Sequence, residues 1–257
     1  MELIRHKENG VCTLTFNRPE VFNSFNQKMA FALQEALKEA EQDDAVRAIV
    51  LTGEGKAFCA GQDLAEAMDP NGPELQSIVK EHYNPIIELI RKIEKPVIAA
   101  VNGVAAGAGA NIALACDITI AKKSASFIQA FSKIGLIPDS GGTFFLPRII
   151  GVQKALALMM TGDKVSAEEA DRMNMIYKCV EDEAFESFVS GFASQLAGMP
   201  TRGLGLTKRA VNQSLTNDLT VQLAVEEELQ TIAGNTYDFN EGVTAFLEKR
   251  KPEFEGK

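Results

Sequence analysis

Residues 97–116 pass without a single charge, and the stretch is built mainly of Ala and Gly. Twenty such residues are long enough to cross a bilayer; otherwise they must lie at the centre of a globular core. Asn102 and Asn111 fall inside the stretch, and Asn102-Gly103 punctuates it with a turn signal. The pattern therefore predicts a buried strand over Val97–Val101, a tight turn, and a helix running to about Cys116. No membrane partner is expected.

The flanking sequence supplies partners for that centre. Asn9-Gly10 separates two β-prone runs, residues 3–7 and 11–16, which is a hairpin signal. Ser24 is placed to cap a helix whose apolar residues Met29, Ala30, Leu33, Ala36, Leu37 and Ala40 share one face. Residues 48–51 form an unbroken apolar run, as expected of a strand covered on both sides. A second helix carries Val79, Tyr83, Ile86, Ile87, Ile90 and Ile93 and is ended by Lys95-Pro96. Residues 118–121 read as another strand, and Ser166 with Glu169 as a capping box. From about Glu183 to Lys249 nearly everything reads helical. Over residues 219–233 the apolar positions cover more than one face. That fits burial against two surfaces, one of them a neighbouring subunit, or a helix deep in its own domain. The order of elements predicts an α/β domain followed by a helical C-terminal part.

Several chemistries are excluded. Lys plus Arg is 26 and Asp plus Glu is 35, so the net charge is −9 and no nucleic-acid partner is expected. Cys12, Cys59, Cys116 and Cys179 are widely spaced without a C-x-x-C, and His6 and His82 are the only histidines. Neither a disulfide framework nor a metal site is signalled. The opening Met1-Glu2-Leu3-Ile4-Arg5 has no apolar run of a secretory type, so a reducing cytoplasm is the expected setting. Gly53-Glu54-Gly55-Lys56 misplaces the first glycine of a P-loop and is followed by Ala57 where Ser or Thr would bind magnesium. Gly107-Ala108-Gly109 has Ile112 at the third glycine of a dinucleotide fingerprint. No histidine follows Ser140, which rules out an α/β-hydrolase triad.

Two turns rich in small residues remain, spanning residues 56–64 and 100–111. Small residues let backbone amides approach a ligand, and a helix start presents unpaired N–H groups. Two such turns can aim two N–H donors at one carbonyl oxygen. They can equally be tight turns serving close packing. Asp139, before Ser140-Gly141-Gly142, reads by itself as a turn or helix cap.

Taken together, Phe58-Cys59-Ala60-Gly61-Gln62-Asp63-Leu64 and the stretch from Ala100-Val101-Asn102-Gly103 through Asp117 resemble the enoyl-CoA hydratase/isomerase (crotonase) superfamily. The resemblance extends from Asn17-Arg18-Pro19 to Phe246-Leu247-Glu248-Lys249-Arg250. Within the superfamily, residues 104–109 and 135–143 are most similar to isomerases of ring-epoxidised phenylacetyl-CoA in aerobic phenylacetate degradation. The resemblance implies a spiral core of ββα turns over residues 1–182 and a helical oligomerisation region over residues 183–257. A homotrimer or homohexamer is the implied assembly. It further implies that the N–H groups of Gln62 and Ala108 hold a thioester oxygen, and that Ala60, Phe246 and Lys249 contact coenzyme A. Lys249 can also be read as part of a solvated helix end.

Hydratases of the superfamily use two glutamates, and the matching positions here are Asn111 and Phe131, neither of which exchanges protons near neutral pH. Asn111 is expected to brace its helix or line the acyl pocket, and Phe131 and Ile137 to line it. The working carboxylate implied is Asp139, with Phe127, Phe131 and Ile137 raising its pKa. The expected reaction is therefore isomerisation of an acyl-CoA, with no cofactor beyond the coenzyme A of the substrate. A Δ3,Δ2-enoyl-CoA isomerase, a dehalogenase-like hydrolase with Asp139 as nucleophile, and a non-catalytic acyl-CoA-binding partner remain as alternatives.

Overall fold

At the Asn9-Gly10 turn both residues take positive φ, 50° and 79°, and the turn folds β1 (Leu3–Glu8) antiparallel onto β2 (Val11–Phe16). The computed structural model describes all 257 residues. Eight strands follow: β3 (Ala48–Gly53), β4 (Ala57–Cys59), β5 (Val97–Val101), β6 (Val104–Ala106), β7 (Ile118–Lys122), β8 (Ser126–Ile128), β9 (Lys164–Ser166) and β10 (Lys178–Val180). They sort into a six-stranded sheet in the order β1-β2-β3-β5-β7-β10 and a four-stranded sheet in the order β4-β6-β8-β9. Beyond the β1–β2 hairpin the larger sheet is parallel. Three passes, β3–β4, β5–β6 and β7–β8, each give one strand to the larger sheet, the next to the smaller, then a helix. This is the spiral of ββα turns that the sequence implied.

Helix α1 (Gln27–Gln42) buries the predicted face, Met29 through Ala40. Its cap is Asn26 rather than Ser24: the Asn26 side chain accepts the Met29 N–H at 2.9 Å, while Ser24 is buried and its carbonyl accepts from Arg18. Short helices α2 (Leu64–Ala67) and α3 (Leu75–Ser77) lead into a π-helical stretch, Ile78–Tyr83, that continues as α4 (Asn84–Lys92). The helix stops three residues before Lys95-Pro96, because Ile93 turns out with ψ 122°. Helix α5 (Ala108–Ala115) is buried at every position, which explains why residues 97–116 hold no charge. Then come α6 (Gly142–Ile150), α7 (Val152–Thr161) and α8 (Ala167–Arg172), the last opened by the predicted Ser166–Glu169 capping box. The main core lies between the two sheets, α1, α4 and α5.

Helix α9 (Phe185–Ala197) covers the other face of the larger sheet, setting Phe185, Val189 and Ala193 against Val50, Ile98, Ala100, Ile120 and Val180. Helices α10 (Thr201–Ser214), α11 (Leu219–Gly234) and α12 (Tyr237–Glu248) complete the chain. In α11 only Leu229 is buried, and Leu219 is 74% exposed. The reading of α11 as a helix deep in its own domain is thereby overturned; its apolar faces stand open in the single chain. No helix is long and apolar enough to cross a membrane.

Residues 250–257 double back along α12 and clasp it. The Asp238 carboxylate accepts the N–H groups of Glu255 and Gly256 at 2.7 and 2.9 Å, and Glu241 accepts that of Glu253 at 2.8 Å. Arg250 pairs with Glu241 and holds its carboxyl at about 2. Arg47, just ahead of β3, donates to the carbonyls of Phe254 and Met199 and to the Thr201 hydroxyl. The start of α12 is thus fastened beside the N-terminal end of the larger sheet.

Candidate active site

Strands β4 and β6 are parallel neighbours, with Ala57 opposite Val104 and Cys59 opposite Ala105. Each ends in a turn that opens a helix, so both turns emerge at the same end, where ligands of parallel sheets bind. The backbones nearly touch there. A Cβ on Gly61 (φ +95°) would stand 3.0 Å from the Ala106 carbonyl and 3.5 Å from the Ala108 nitrogen. A Cβ on Gly109 would lie 2.3 Å from the Cys59 carbonyl. Only glycine permits this approach.

The turn amides then divide by role. Gly61 N–H is held by Cys59 Sγ at 3.3 Å, Ala60 N–H by the Phe22 carbonyl at 3.0 Å, and Asp63 N–H by the Phe25 carbonyl at 2.8 Å. Gln62 N–H has no protein acceptor. Ala108 is the first residue of α5, where an N–H has no intrahelical partner. Both N–H groups are thus unpaired, on two turns whose backbones nearly touch, and an oxyanion hole needs two such donors. The Arg18–Asp63 pair, 2.7 Å apart and mostly buried, anchors the first turn. Burial works to raise the Asp63 carboxyl, but the Arg18 guanidinium wins and holds it below the usual range.

Tyr83, at the end of the π-helical stretch, donates to Gln62 Oε1 at 2.8 Å and is 1% exposed. Burial pushes its phenol well above 10, helped by the nearby Cys59 and Asp139, so it remains a neutral donor. Sequence reading placed Tyr83 only on an apolar helix face. A long-range hydrogen bond of this kind has no signal in residue spacing.

Asp139 lies on the turn before α6. Asn111, one turn into α5, donates from Nδ2 to the Asp139 main-chain carbonyl at 2.9 Å, which ties this turn to the helix that begins at Ala108. Ser140 Oγ donates to Asp139 Oδ1 at 2.9 Å. Burial raises the Asp139 carboxyl above the usual range, and the Ser140 bond offsets part of that. The phenyl Cζ of Phe131 would lie 3.8 Å from a Cβ on Gly107, so this ring closes over the second turn. Phe131 and Phe127 are both buried.

Four expected pocket or coenzyme positions stand differently. Asn111 has no exposed surface, and its Oδ1 accepts from Gln129 at 2.8 Å, so it lies behind the pocket rather than lining it. Ile137 is 80% exposed and encloses nothing in the single chain. Phe246, 82% exposed, and Lys249, a left-handed cap at φ 57°, project from the end of α12 remote from its fastened start. Ala60 is exposed on the first turn. Two N–H donors beside one carboxylate of raised pKa can remove a proton next to a carbonyl, stabilise the resulting enolate, and redeliver the proton.

Comparison with known proteins bears on this chemistry. Residues 6–257 match the family model for enoyl-CoA hydratase/isomerase. The chain is 51% identical, over 99% of its length and 98% of the relative's, to the 1,2-epoxyphenylacetyl-CoA isomerase of Escherichia coli K12. It is 39% identical, over 100% of its length and 98% of the relative's, to the trans-2-decenoyl-[acyl-carrier-protein] isomerase of Streptococcus mutans. Among solved structures, an enoyl-CoA hydratase from Bacillus anthracis superposes with a TM-score of 0.93 at 32% identity, covering 100% of both chains.

Proposed function

The chain belongs to the enoyl-CoA hydratase/isomerase family, and on that premise we propose that it converts ring-1,2-epoxyphenylacetyl-CoA to 2-oxepin-2(3H)-ylideneacetyl-CoA. The observation that carries this reading is the partly buried Asp139 carboxylate, its main chain tied to the helix whose first amide completes a two-donor turn pair. The likeness to the Escherichia coli isomerase over nearly the full chain supports this choice of acyl group.

The epoxide and its oxepin are valence isomers, so the ring expands without help from a base. Asp139 takes a proton from the carbon between ring and thioester. The N–H groups of Gln62 and Ala108 hold the enolate oxygen, and Asp139 returns the proton to the ring. No atom is gained or lost, and no cofactor beyond the coenzyme A of the substrate is required. Ala60 adjoins the thioester arm, and Phe246 and Lys249 contact the coenzyme A. The test is turnover of the phenylacetyl-CoA epoxide beside a linear Δ3-enoyl-CoA, with both products identified. Exclusive turnover of the linear substrate would replace this reading with a second one, fatty enoyl-CoA isomerisation, which the likeness to the Streptococcus mutans isomerase favours.

Hydration of crotonyl-CoA is expected to be absent or very slow. Water addition by the usual pair needs two carboxylates, and Asn111 and Phe131 stand in their places. Hydration at a rate comparable with isomerisation would show another residue activating water. The protein is also expected to sediment as a trimer or hexamer at micromolar concentration, because α11 and α12 leave Leu219, Leu223, Phe246 and Leu247 more than half exposed. A well-folded, active monomer in analytical ultracentrifugation would refute that assembly.

A further inference from the structure

This inference rests on Asp139 as the working carboxylate. The turn that carries it is irregular: Ser140 and Gly141 take left-handed φ of 51° and 74°, and α6 starts at once with Gly142. The turn is shaped around one side chain. Asn111 Nδ2 holds the Asp139 carbonyl at 2.9 Å, and Gln129 Nε2 holds Asn111 Oδ1 at 2.8 Å, which fixes the amide's orientation. From the other side, a Cβ on Gly142 would meet Asn111 Nδ2 at 2.3 Å, so the turn closes on the amide only because residue 142 is glycine. We propose that Asn111 is a positioning residue, gripping the main chain of Asp139 so that the base and the Ala108 amide are set by one helix, α5.

The consequence is geometric. Ala108 and Asn111 are three residues apart in a wholly buried helix, so the donor and the grip on the base move as one body. A base misplaced by about 1 Å can cost on the order of 10² in rate. Asn111 has no exposed surface with which to touch substrate, so losing it should alter the chemical step and not thioester binding.

Loss of the grip should also let water reach the carboxylate. The groups facing Asp139 are the Ser140 hydroxyl on its own turn and the Tyr83 phenol on the π-helical stretch, which burial keeps neutral. Helix α5 offers no titratable side chain, and α6 offers none before Arg148. A better-solvated Asp139 titrates lower, so the acid limb of the rate profile should move to lower pH.

The experiment compares Asn111→Ala, which deletes the grip, with Gly142→Ala, which keeps the amide but displaces it. Asp139→Asn is measured alongside. Both variants are expected to lose about 10- to 100-fold in kcat with KM little changed, and to shift the acid limb of kcat downward. Should Asn111→Ala fail to fold, Gly142→Ala carries the test through displacement alone. A folded variant with a lowered melting temperature but wild-type kcat and acid limb would show Asn111 to be merely structural and overturn the proposal. If Asp139→Asn also retains wild-type turnover, the reading of the site itself fails; if Asp139→Asn is inactive while both other variants are not, only the role of Asn111 fails.

Discussion

Asp139→Asn is expected to cut isomerase turnover by about 10²–10⁴ while the affinity for acyl-CoA changes little, as for loss of a general base. The amide keeps the shape of the carboxylate but cannot accept a proton near neutral pH. In the wild type, the rate should fall on acidification at a pH above the ordinary aspartate range, because burial raises the Asp139 pKa and only the ionised form is a base. Stability has the opposite sign. A carboxyl whose folded pKa is raised favours the native state most at low pH, and that contribution is lost as pH rises through the raised value. The Asn variant escapes the loss, so at neutral pH it should melt no lower than the wild type. Wild-type turnover in Asp139→Asn would remove this residue from the mechanism.

Gly109→Ala is expected to cost about 10²–10³ in turnover, the usual penalty for disabling one oxyanion donor. The added methyl would lie 2.3 Å from the Cys59 carbonyl and 2.7 Å from both Cys59 Cβ and Sγ. Those atoms sit in a packed interior and cannot yield, so the start of α5 must back away from β4 and take the Ala108 amide with it. Gly191→Ala serves as the control: it lies on α9 with nothing within 4 Å of the new methyl, and both rate and fold should be untouched. Circular dichroism on both variants separates a displaced amide from an unfolded chain. A folded Gly109→Ala enzyme with full turnover would show that the second turn does not hold the substrate oxygen.

Local chemistry made part of this molecule legible in its sequence. Asn9-Gly10 needs only its own φ angles to set the hairpin, and the Ser166–Glu169 box needs only four residues. The charge-free stretch announced the buried centre because α5 has no face that meets water. The smaller sheet was illegible for a physical reason. Ala57–Cys59, Val104–Ala106, Ser126–Ile128 and Lys164–Ser166 are three residues each, too short for a two-residue period to repeat. Ser24 and Asn26 are both competent caps, and only burial of Ser24 by the fold selects Asn26. At the site, the turn residues were readable because glycine marks close backbone approach. The bonds from Asn111 to Asp139 and from Tyr83 to Gln62 join residues 28 and 21 apart, and no pattern along the chain reports such pairs.

The clasp of residues 250–257 over α12 has a kinetic side. A free tail must be ordered by whatever surface receives it, at roughly 1–2 kcal/mol per residue in backbone entropy. Here Asp238, Glu241 and Arg47 settle that ordering within the chain itself. Helix α12 therefore meets any docking surface as a stiff arm in one conformation. Its productive encounters are limited by orientation and diffusion, with no search through tail conformations after contact.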